Sequence, residues 1–284
     1  MSHSAFPLTR FRDYALLFVS WTAAGLIVFF FLWIVADVLW SGLPSLSWSF
    51  LTTTPEDAGR SGGISSIIIA TLMILAVCLV VALPLALGSA IYLAEFMRQD
   101  GRAVSVIRRS LDVLAGVPSI VIGLFGNAFF AIALGMGFSI LSGGLTLACM
   151  VLPILIRMTE EGLRSLPQSV RLNCAALGLS KWTMIFSVLL PAAMPAIAAG
   201  LILGIGRAIA ETAALIFTSG YVDRMPESIM DSGRALSVHI YDLSMNVPGG
   251  DQNAYASATV LVLMLLMINF TVMLISRKYK PQQE

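Results

Sequence analysis

Long apolar segments alternate along the chain with short polar ones, and most apolar segments have the length of one membrane-spanning helix. A helix needs about 20 mostly apolar residues to cross the hydrocarbon core of a bilayer. Four segments meet this requirement singly, namely residues 15–36, 64–93, 191–217 and 254–275. The segment 113–156 is about twice too long for one span, and glycine clusters at 135–137 and 142–144 can break it into two. The pattern therefore predicts six transmembrane helices.

Composition places the chain in the same class. Hydrophobic residues make up 58% of the sequence and charged residues only 12%, which is typical of an integral membrane protein. The first span is too long for the apolar core of a signal peptide, and no small-residue cleavage pattern follows it, so we expect it to be retained. We predict residues 1–14 as a cytosolic N-terminus and residues 15–284 as one all-α, six-helix membrane domain.

The distribution of basic residues predicts the orientation. Loops on the cytosolic side of a membrane protein are enriched in lysine and arginine. With the N-terminus inside, thirteen of the 17 basic residues fall in cytosolic segments, whereas only Arg60, Arg224 and Arg234 fall outside. We therefore expect a multi-pass protein of the bacterial cytoplasmic (inner) membrane, surrounded by lipid, with both termini and the polar loop 158–190 in the cytosol.

Residues with reactive or ligating side chains do not form a recognisable site. The three cysteines lack metal-ligand spacing, and His3 and His239 lie far apart in segments where we expect both to be solvated. No glycine-rich segment is followed by Lys-Ser or Lys-Thr, so the chain has no P-loop. No span carries a catalytic set, and we expect neither an enzyme, nor a cofactor or metal held by this chain, nor a nucleic-acid partner.

The loop 158–190 has the pattern of two short helices. Ser165 is placed to cap a helix with Pro167 in its first turn, and Gly178 suits the left-handed turn that ends it. Ser180 is placed to cap the next helix. The first helix carries an apolar stripe with helical spacing, formed by Leu166, Val170, Cys174 and Leu177.

An apolar stripe in the cytosol requires a surface that covers it. One solution is a groove on a partner protein that receives the helix. The other is the bilayer surface, with Arg164, Arg171 and Lys181 directed to the lipid headgroups. The residues alone leave both open.

The loop resembles that of ATP-binding-cassette importer permeases. Their signature is Glu-Ala-Ala, three residues, Gly, nine residues and Ile-x-Leu-Pro, which Gly178 and the segment 188–191 match. Leu172-Asn173-Cys174 stands where the family has Glu-Ala-Ala, whose glutamate contacts the ATPase. The resemblance implies that the loop docks on a separate ATP-binding-cassette ATPase dimer, which holds Mg-ATP. The docking residues we expect are Leu166, Val170, Arg171, Cys174, Leu177 and Gly178.

Further segments resemble the A-type permeases of high-affinity phosphate importers. They include Ala90–Glu95, Val117–Val121 and Arg207–Ala213, and the similarity runs from about residue 60 to the end. The resemblance implies the type I importer permease (MetI-like) fold with six transmembrane helices. It also implies a C-type phosphate permease as pairing subunit, an extracytoplasmic phosphate-binding protein and inorganic phosphate as the cargo.

The predicted fifth span carries a charged residue near its middle, Arg207, with Glu211 one helical turn away on the same face. A charge at the bilayer centre costs about 2.5–3.5 kcal/mol and by default indicates function. A guanidinium matches two oxygens of a tetrahedral oxyanion. Our hypothesis is that Arg207 holds phosphate in a path that Thr212 and Ser119 also line, and that Glu211 neutralises Arg207 when the path is empty. The alternatives are a structural Arg–Glu pair and, for Ser119, a helix cap.

Two other functions remain open. The same architecture serves an importer of another oxyanion, namely phosphonate, sulfate, molybdate or tungstate. An ion-driven secondary transporter is the other alternative, and it predicts inverted repeats with broken helices. We detect no such repeat in the sequence, and this alternative also leaves the loop 158–190 without a partner.

Overall fold

The computed structural model describes residues 7–98 and 101–277, and most of these residues are helical. The helices are α1 Pro7–Gly42, α2 Trp48–Thr52, α3 Ser65–Ile91, α4 Arg102–Ala115, α5 Ser119–Gly126, α6 Ile140–Arg164, α7 Gln168–Ala176, α8 Lys181–Met184, α9 Leu190–Ile209, α10 Ala213–Ile216, α11 Leu236–Met245 and α12 Asp251–Arg277. Three π-helical turns, Tyr92–Phe96, Asn127–Ala133 and Ile185–Leu189, continue α3, α5 and α8. Two short strands, β1 Pro55–Glu56 and β2 Ser61–Gly62, pair antiparallel. His3 lies outside the described residues.

The helices confirm the predicted all-α membrane fold. Within the described residues five helical segments are long and apolar enough to cross a membrane, and the count is six if a bent helix pair forms one span. The bent pair consists of α4 and the segment Ser119–Ala133, which meet at 97°. The prediction was wrong at the end of the fifth span, because α9 stops at Ile209 instead of continuing to residue 217.

Only one of the two predicted glycine breaks is a turn. Gly135 and Gly137 have φ angles of +70° and +61° in the connection between α5 and α6, as predicted. The prediction for residues 142–144 was wrong, since they lie inside α6. A Cβ on Gly144 would lie 2.5 Å from Val77 Cγ1 and 3.0 Å from the Ile74 carbonyl oxygen, so glycine allows α3 to approach α6 there.

The core forms where α6 packs between α3 and α9. On α9, Gly200 and Gly204 are four residues apart, and a Cβ on either would lie 2.7 Å from a side-chain atom of Met158 or Val151 on α6. Small residues at this spacing let helix backbones approach closely in membranes. We call the end of this bundle that carries α7 the loop end, and the end that carries β1 and β2 the hairpin end.

Helix α1 lies apart from this core. The side chains from residue 13 to residue 34 are exposed and mostly apolar on every side. Contact with the bundle is made near the C-terminal end of α1, where Thr259 of α12 donates a hydrogen bond to the Val38 carbonyl at 3.1 Å. A helix of this kind presents its surface to lipid or to another membrane helix.

The histidine at the hairpin end is buried, and our expectation of a solvated His239 was wrong. His239 lies on α11 with 0% of its surface exposed. The turn of the β1–β2 hairpin covers it, since a Cβ on Gly59 would lie 2.7 Å from His239 Cε1. This contact joins residues 180 positions apart, which local hydropathy cannot show.

Charged side chains surround His239. Arg234 approaches His239 Nδ1 at 3.5 Å, forms ion pairs with Asp242 at 3.2 Å and Asp223 at 3.9 Å, and donates to the Tyr221 carbonyl at 2.7 Å. Burial, together with the positive charge of Arg234, lowers the pKa of His239 to about 4. The ring is therefore neutral at neutral pH.

Acidification is expected to destabilise the fold through His239. Below pH 6.5 the unfolded chain binds a proton at this ring, whereas the folded chain does not until the pH approaches about 4. Stability is therefore complete above pH 6.5 and decreases by roughly 2 kcal/mol on going to pH 5. Thermal unfolding of the purified chain at both pH values measures this loss. His239→Gln should show a smaller loss, and an equal loss in both proteins contradicts the assignment.

Candidate functional site

The helix that carries Arg207 breaks inside the bundle. After Ile209 the residues 210–212 are not helical, and α10 begins at Ala213. Ala208 lines one small cavity together with Thr71 and Leu75 of α3, which lie six and ten residues from the start of that helix. At 1.5 Å per residue the break is roughly 9–15 Å below the hairpin end of α3.

Nearby groups satisfy the backbone of the break. Ser237 Oγ donates to the Glu211 carbonyl at 2.6 Å, and the Ala214 N–H donates to Glu211 Oε1 at 3.4 Å. The Ile216 N–H donates to the Thr212 carbonyl at 3.1 Å. Non-helical backbone at this depth persists only where protein satisfies it or where it lines a cavity. The Glu211 side chain thus stabilises the break.

Arg207 lies in the last turn of α9 with its side chain half-buried. Within the described residues its guanidinium forms no ion pair or hydrogen bond. The expected ion pair with Glu211 is therefore absent, and that prediction was wrong. The helix ends between the two residues, so the spacing of one helical turn no longer places them side by side. A half-buried guanidinium whose donors lack a partner among the described residues is suited to bind an anion.

The other two predicted path residues lie near the break. Thr212 is half-buried directly before α10, and Ser119 is the half-buried first residue of α5. Helix α5 packs closely on α10, since a Cβ on Gly123 would lie 2.7 Å from Ala214 Cα. Ser119 precedes Gly123 by four residues and lies on the same face of α5. No hydrogen bond among the described residues links Ser119 to the break.

At the loop end, the predicted turn is confirmed and one of the predicted caps is wrong. Gly178 has a φ of +72°, and Ser180 Oγ accepts a hydrogen bond from the Thr183 N–H at 3.1 Å. Ser165 does not cap α7, because its hydroxyl donates to the Gly162 carbonyl at 2.9 Å at the end of α6. Helix α7 begins after the extended Pro167 without a side-chain cap.

Most of the predicted apolar stripe faces the protein. Leu166 and Val170 pack against a buried cluster that includes Leu163 and Ile185, and Cys174 is itself buried. Only Leu177 of the stripe is exposed. The expectation that the whole stripe is presented to a partner was wrong, because the ends of α6 and α9 already cover it.

The opposite side of the loop is apolar and exposed. We call it the exposed loop face, and it consists of Leu172, Ala175, Ala176, Leu177 and Leu179. Leu177 is 77% exposed and Leu172 is 62% exposed. Leu172 occupies the position of the signature glutamate. Periodicity alone did not identify this face, because it cannot tell which side of a helix its own protein covers.

Arg171, which we expected in the docking surface, is directed into the protein. Its Nη2 donates to Glu95 Oε1 at 2.6 Å and its Nε lies 3.3 Å from Glu95 Oε2. The same guanidinium donates to the carbonyls of Leu163 at 2.8 Å and Leu166 at 3.0 Å. This pair was not predicted from the sequence, in which a glutamate at the end of a span was the only signal.

A second buried carboxylate ties α6 to α4. Glu160, which is 1% exposed, accepts from Arg108 Nε at 2.7 Å and pairs with Arg164 at 3.7 Å. A more exposed pair, Arg157 with Asp112 at 2.8 Å, joins the same two helices. These contacts fix α4 against α6 at the loop end.

The fold and the two regions above define a multi-pass membrane permease that holds a helix break in its interior and a structured loop at one end. Residues 82–282 match the family described as binding-protein-dependent transport system inner membrane component. The chain belongs to this family. It is therefore a transport permease subunit and a multi-pass inner-membrane protein.

Named relatives cover most of the chain. A probable ABC transporter permease, YqgI of Bacillus subtilis (strain 168), is 32% identical over 247 residues, which are 82% of this chain and 84% of the relative. The phosphate transport system permease PstA of Pasteurella multocida (strain Pm70) is 30% identical over 100% of this chain and 99% of the relative. PstA 1 of Mycobacterium tuberculosis (strain H37Rv) is 32% identical, with 91% and 84% covered.

Solved structures share the fold. A bacterial ABC transporter that imports the acidic polysaccharide alginate aligns with a TM-score of 0.62 at 13% identity, covering 94% of this chain and 99% of that one. A chain of the MetNI methionine ABC transporter in an inward-facing conformation aligns with a TM-score of 0.58 at 15% identity, covering 77% and 95%. The type I importer permease fold is thereby confirmed.

Proposed function

We propose that this chain is one of two permease subunits of an ATP-driven importer of inorganic phosphate. A C-type permease would complete the path, a phosphate-binding protein would deliver the cargo at the hairpin end, and an ATPase dimer would dock at the loop end. The excess of basic residues in the loop-end segments supports a cytosolic loop end. Relatives named as phosphate permeases support phosphate as the cargo.

One observation carries the proposal, namely the half-buried Arg207 beside an interior helix break with no ion-pair partner in the described part of the chain. An uncompensated charge at such depth is costly, and such residues by default mark an ion or substrate pathway. The planar guanidinium holds two oxygens of a tetrahedral oxyanion at once. In this proposal Arg207 binds phosphate transiently as it passes between the two permeases.

The neighbouring residues shape that site. Thr212 supplies a hydroxyl beside the break, and Ser119 supplies one from α5. Glu211 holds the break open through its contact with the Ala214 N–H, and its negative charge limits how tightly phosphate is held. Weak retention is required because a transported ion must also leave the site.

The exposed loop face is the docking surface in this proposal. Leu172 and Leu177 present apolar side chains that a groove on the ATPase would bury. Gly178 provides the turn that exposes Leu177. Leu166, Val170, Cys174 and Arg171 act indirectly by holding α7 against the bundle. The ATPase subunit, and not this chain, would bind Mg-ATP.

Arg207→Gln is expected to reduce phosphate uptake by about ten- to a hundredfold, because a hydrogen bond to a charged group contributes about 1.5–3 kcal/mol. The measurement is labelled-phosphate uptake in cells that lack their own A-type permease and carry this chain with its cognate partners. Unlabelled phosphate should block uptake, whereas excess sulfate, phosphonate and molybdate should not.

Arg109→Gln is the control, because Arg109 is an exposed arginine of α4 that belongs neither to the break nor to the exposed loop face. It should transport as the wild type does. Uptake unchanged by Arg207→Gln in an assembled complex contradicts the role of Arg207. No phosphate uptake by an assembled wild-type complex contradicts the cargo and assigns the path to another oxyanion.

Leu177→Asp is expected to release the ATPase while the two permeases remain paired. Burial of one leucine contributes about 1.5–3 kcal/mol, so its loss should weaken docking about tenfold or more. Copurification of the tagged complex measures it. Leu134→Asp, at an exposed leucine directly after the π-helical turn Asn127–Ala133, is the control and should retain the ATPase. Equal retention in both variants argues against this docking surface.

A further inference from the structure

One arginine joins three segments at the loop end. From α7, Arg171 reaches Glu95 in the π turn after α3, the Leu163 carbonyl in the last turn of α6, and the Leu166 carbonyl beyond it. Lys181, at the start of α8, donates to the Glu95 carbonyl at 2.7 Å. We call Glu95, Arg171 and Lys181 the loop clamp.

The loop clamp is built to resist separation. The Glu95 side chain is 5% exposed and that of Arg171 is 21% exposed, so water competes little for their contacts. Charge-assisted hydrogen bonds are the stronger kind, and a guanidinium fixes their geometry. Parting the two side chains would leave a carboxylate buried without a partner, which is strongly unfavourable. Helix α7 therefore moves together with the end of α3.

A second set of contacts holds the loop against the π-helical turn Tyr92–Phe96. The Lys181 ammonium lies 3.9 Å from the centre of the Phe96 ring, and Phe96 in turn contacts Trp182 at 5.7 Å between ring centroids. Both halves of the loop, before and after Gly178, are thus attached to the turn Tyr92–Phe96. π-helical turns occur frequently at functional positions.

Helix α3 extends from this clamp to the path and to the hairpin end. Its residues Thr71 and Leu75 share a cavity with Ala208, beside Arg207. Ser66 donates to the Asp223 carbonyl, and Thr71 accepts from the Leu236 N–H at 2.8 Å. If the loop moves and α3 moves with it, the displacement therefore reaches both the helix break and the segment that leads to α11.

We propose that Glu95 is a positioning residue of the transport cycle, through which displacement of the exposed loop face is transmitted to α3 and to the break at Arg207. This inference rests on the proposed docking of an ATPase at the loop. Coupling between the binding free energies of two sites is reciprocal, so a binding protein docked at the hairpin end acts on the docked ATPase through the same clamp.

The test uses the complete complex in proteoliposomes, with ATP hydrolysis measured in the presence and absence of phosphate-loaded binding protein. In Glu95→Gln, hydrolysis without binding protein should equal that of the wild type, whereas its stimulation by binding protein should fall about tenfold, with phosphate uptake falling in parallel. Asp112→Asn, which alters the exposed pair with Arg157, is the matched control and should behave as the wild type.

Two results overturn the inference. One is wild-type stimulation in Glu95→Gln, and the other is a proportional fall of basal and stimulated hydrolysis, which marks a role in stability alone. If the Glu95→Gln complex does not assemble, the same measurement is made with Arg171→Lys. Lysine keeps the positive charge but loses the planar set of donors that reaches the Leu163 and Leu166 carbonyls. Intermediate stimulation then supports the inference, and wild-type stimulation overturns it.

The cargo and the clamp are tested separately. A wild-type complex that responds only to binding protein loaded with sulfate, phosphonate or molybdate refutes phosphate as the cargo. The comparison between wild type and Glu95→Gln is then made with that loaded binding protein, and the same outcomes apply.

Discussion

Close backbone packing of α6 against α3 and α9 is the constraint on which the rest of the structure depends. Lipid tails are as apolar as the side chains, so helices in a membrane associate through contact and small residues and not through the hydrophobic effect. Gly144 lets α3 approach, and Gly200 and Gly204 let α6 and α9 approach each other. Because these contacts fix the three helices along their length, the break after α9 and the loop after α6 have defined positions.

Polar contacts at the two ends complement this apolar middle. At the loop end Glu95 and Glu160 are buried against arginines, and at the hairpin end Arg234 joins two aspartates beside His239. Breaking such buried pairs is unfavourable, so each end moves as a unit. Arg207 is the exception, since it lies between the two ends without an ion-pair partner in the described residues. In the proposed function this frame holds the Arg207 guanidinium in position for transient anion binding.

Hydropathy and local turn chemistry predicted the spans, the left-handed Gly178 and the cap at Ser180, because each depends on residues close in sequence. Two of the failures depend on distant residues. The burial of His239 comes from the hairpin around Gly59, and the direction of the α7 stripe depends on the ends of α6 and α9. The predicted ion pair of Arg207 required α9 to continue to Glu211, whereas α9 ends two residues after Arg207. The exposed loop face and the loop clamp were missed because they too depend on distant residues.

The loop clamp requires that the loop and α3 move as one body. Spin labels at exposed positions Ser169 on α7, outside the exposed loop face, and Leu85 on α3 measure the distance between them by pulsed electron paramagnetic resonance, in a complex whose three native cysteines are replaced. We expect the same distance distribution in the nucleotide-free and the ATP-trapped complex, in a preparation that hydrolyses ATP before trapping. A distance that shifts between the two states contradicts it.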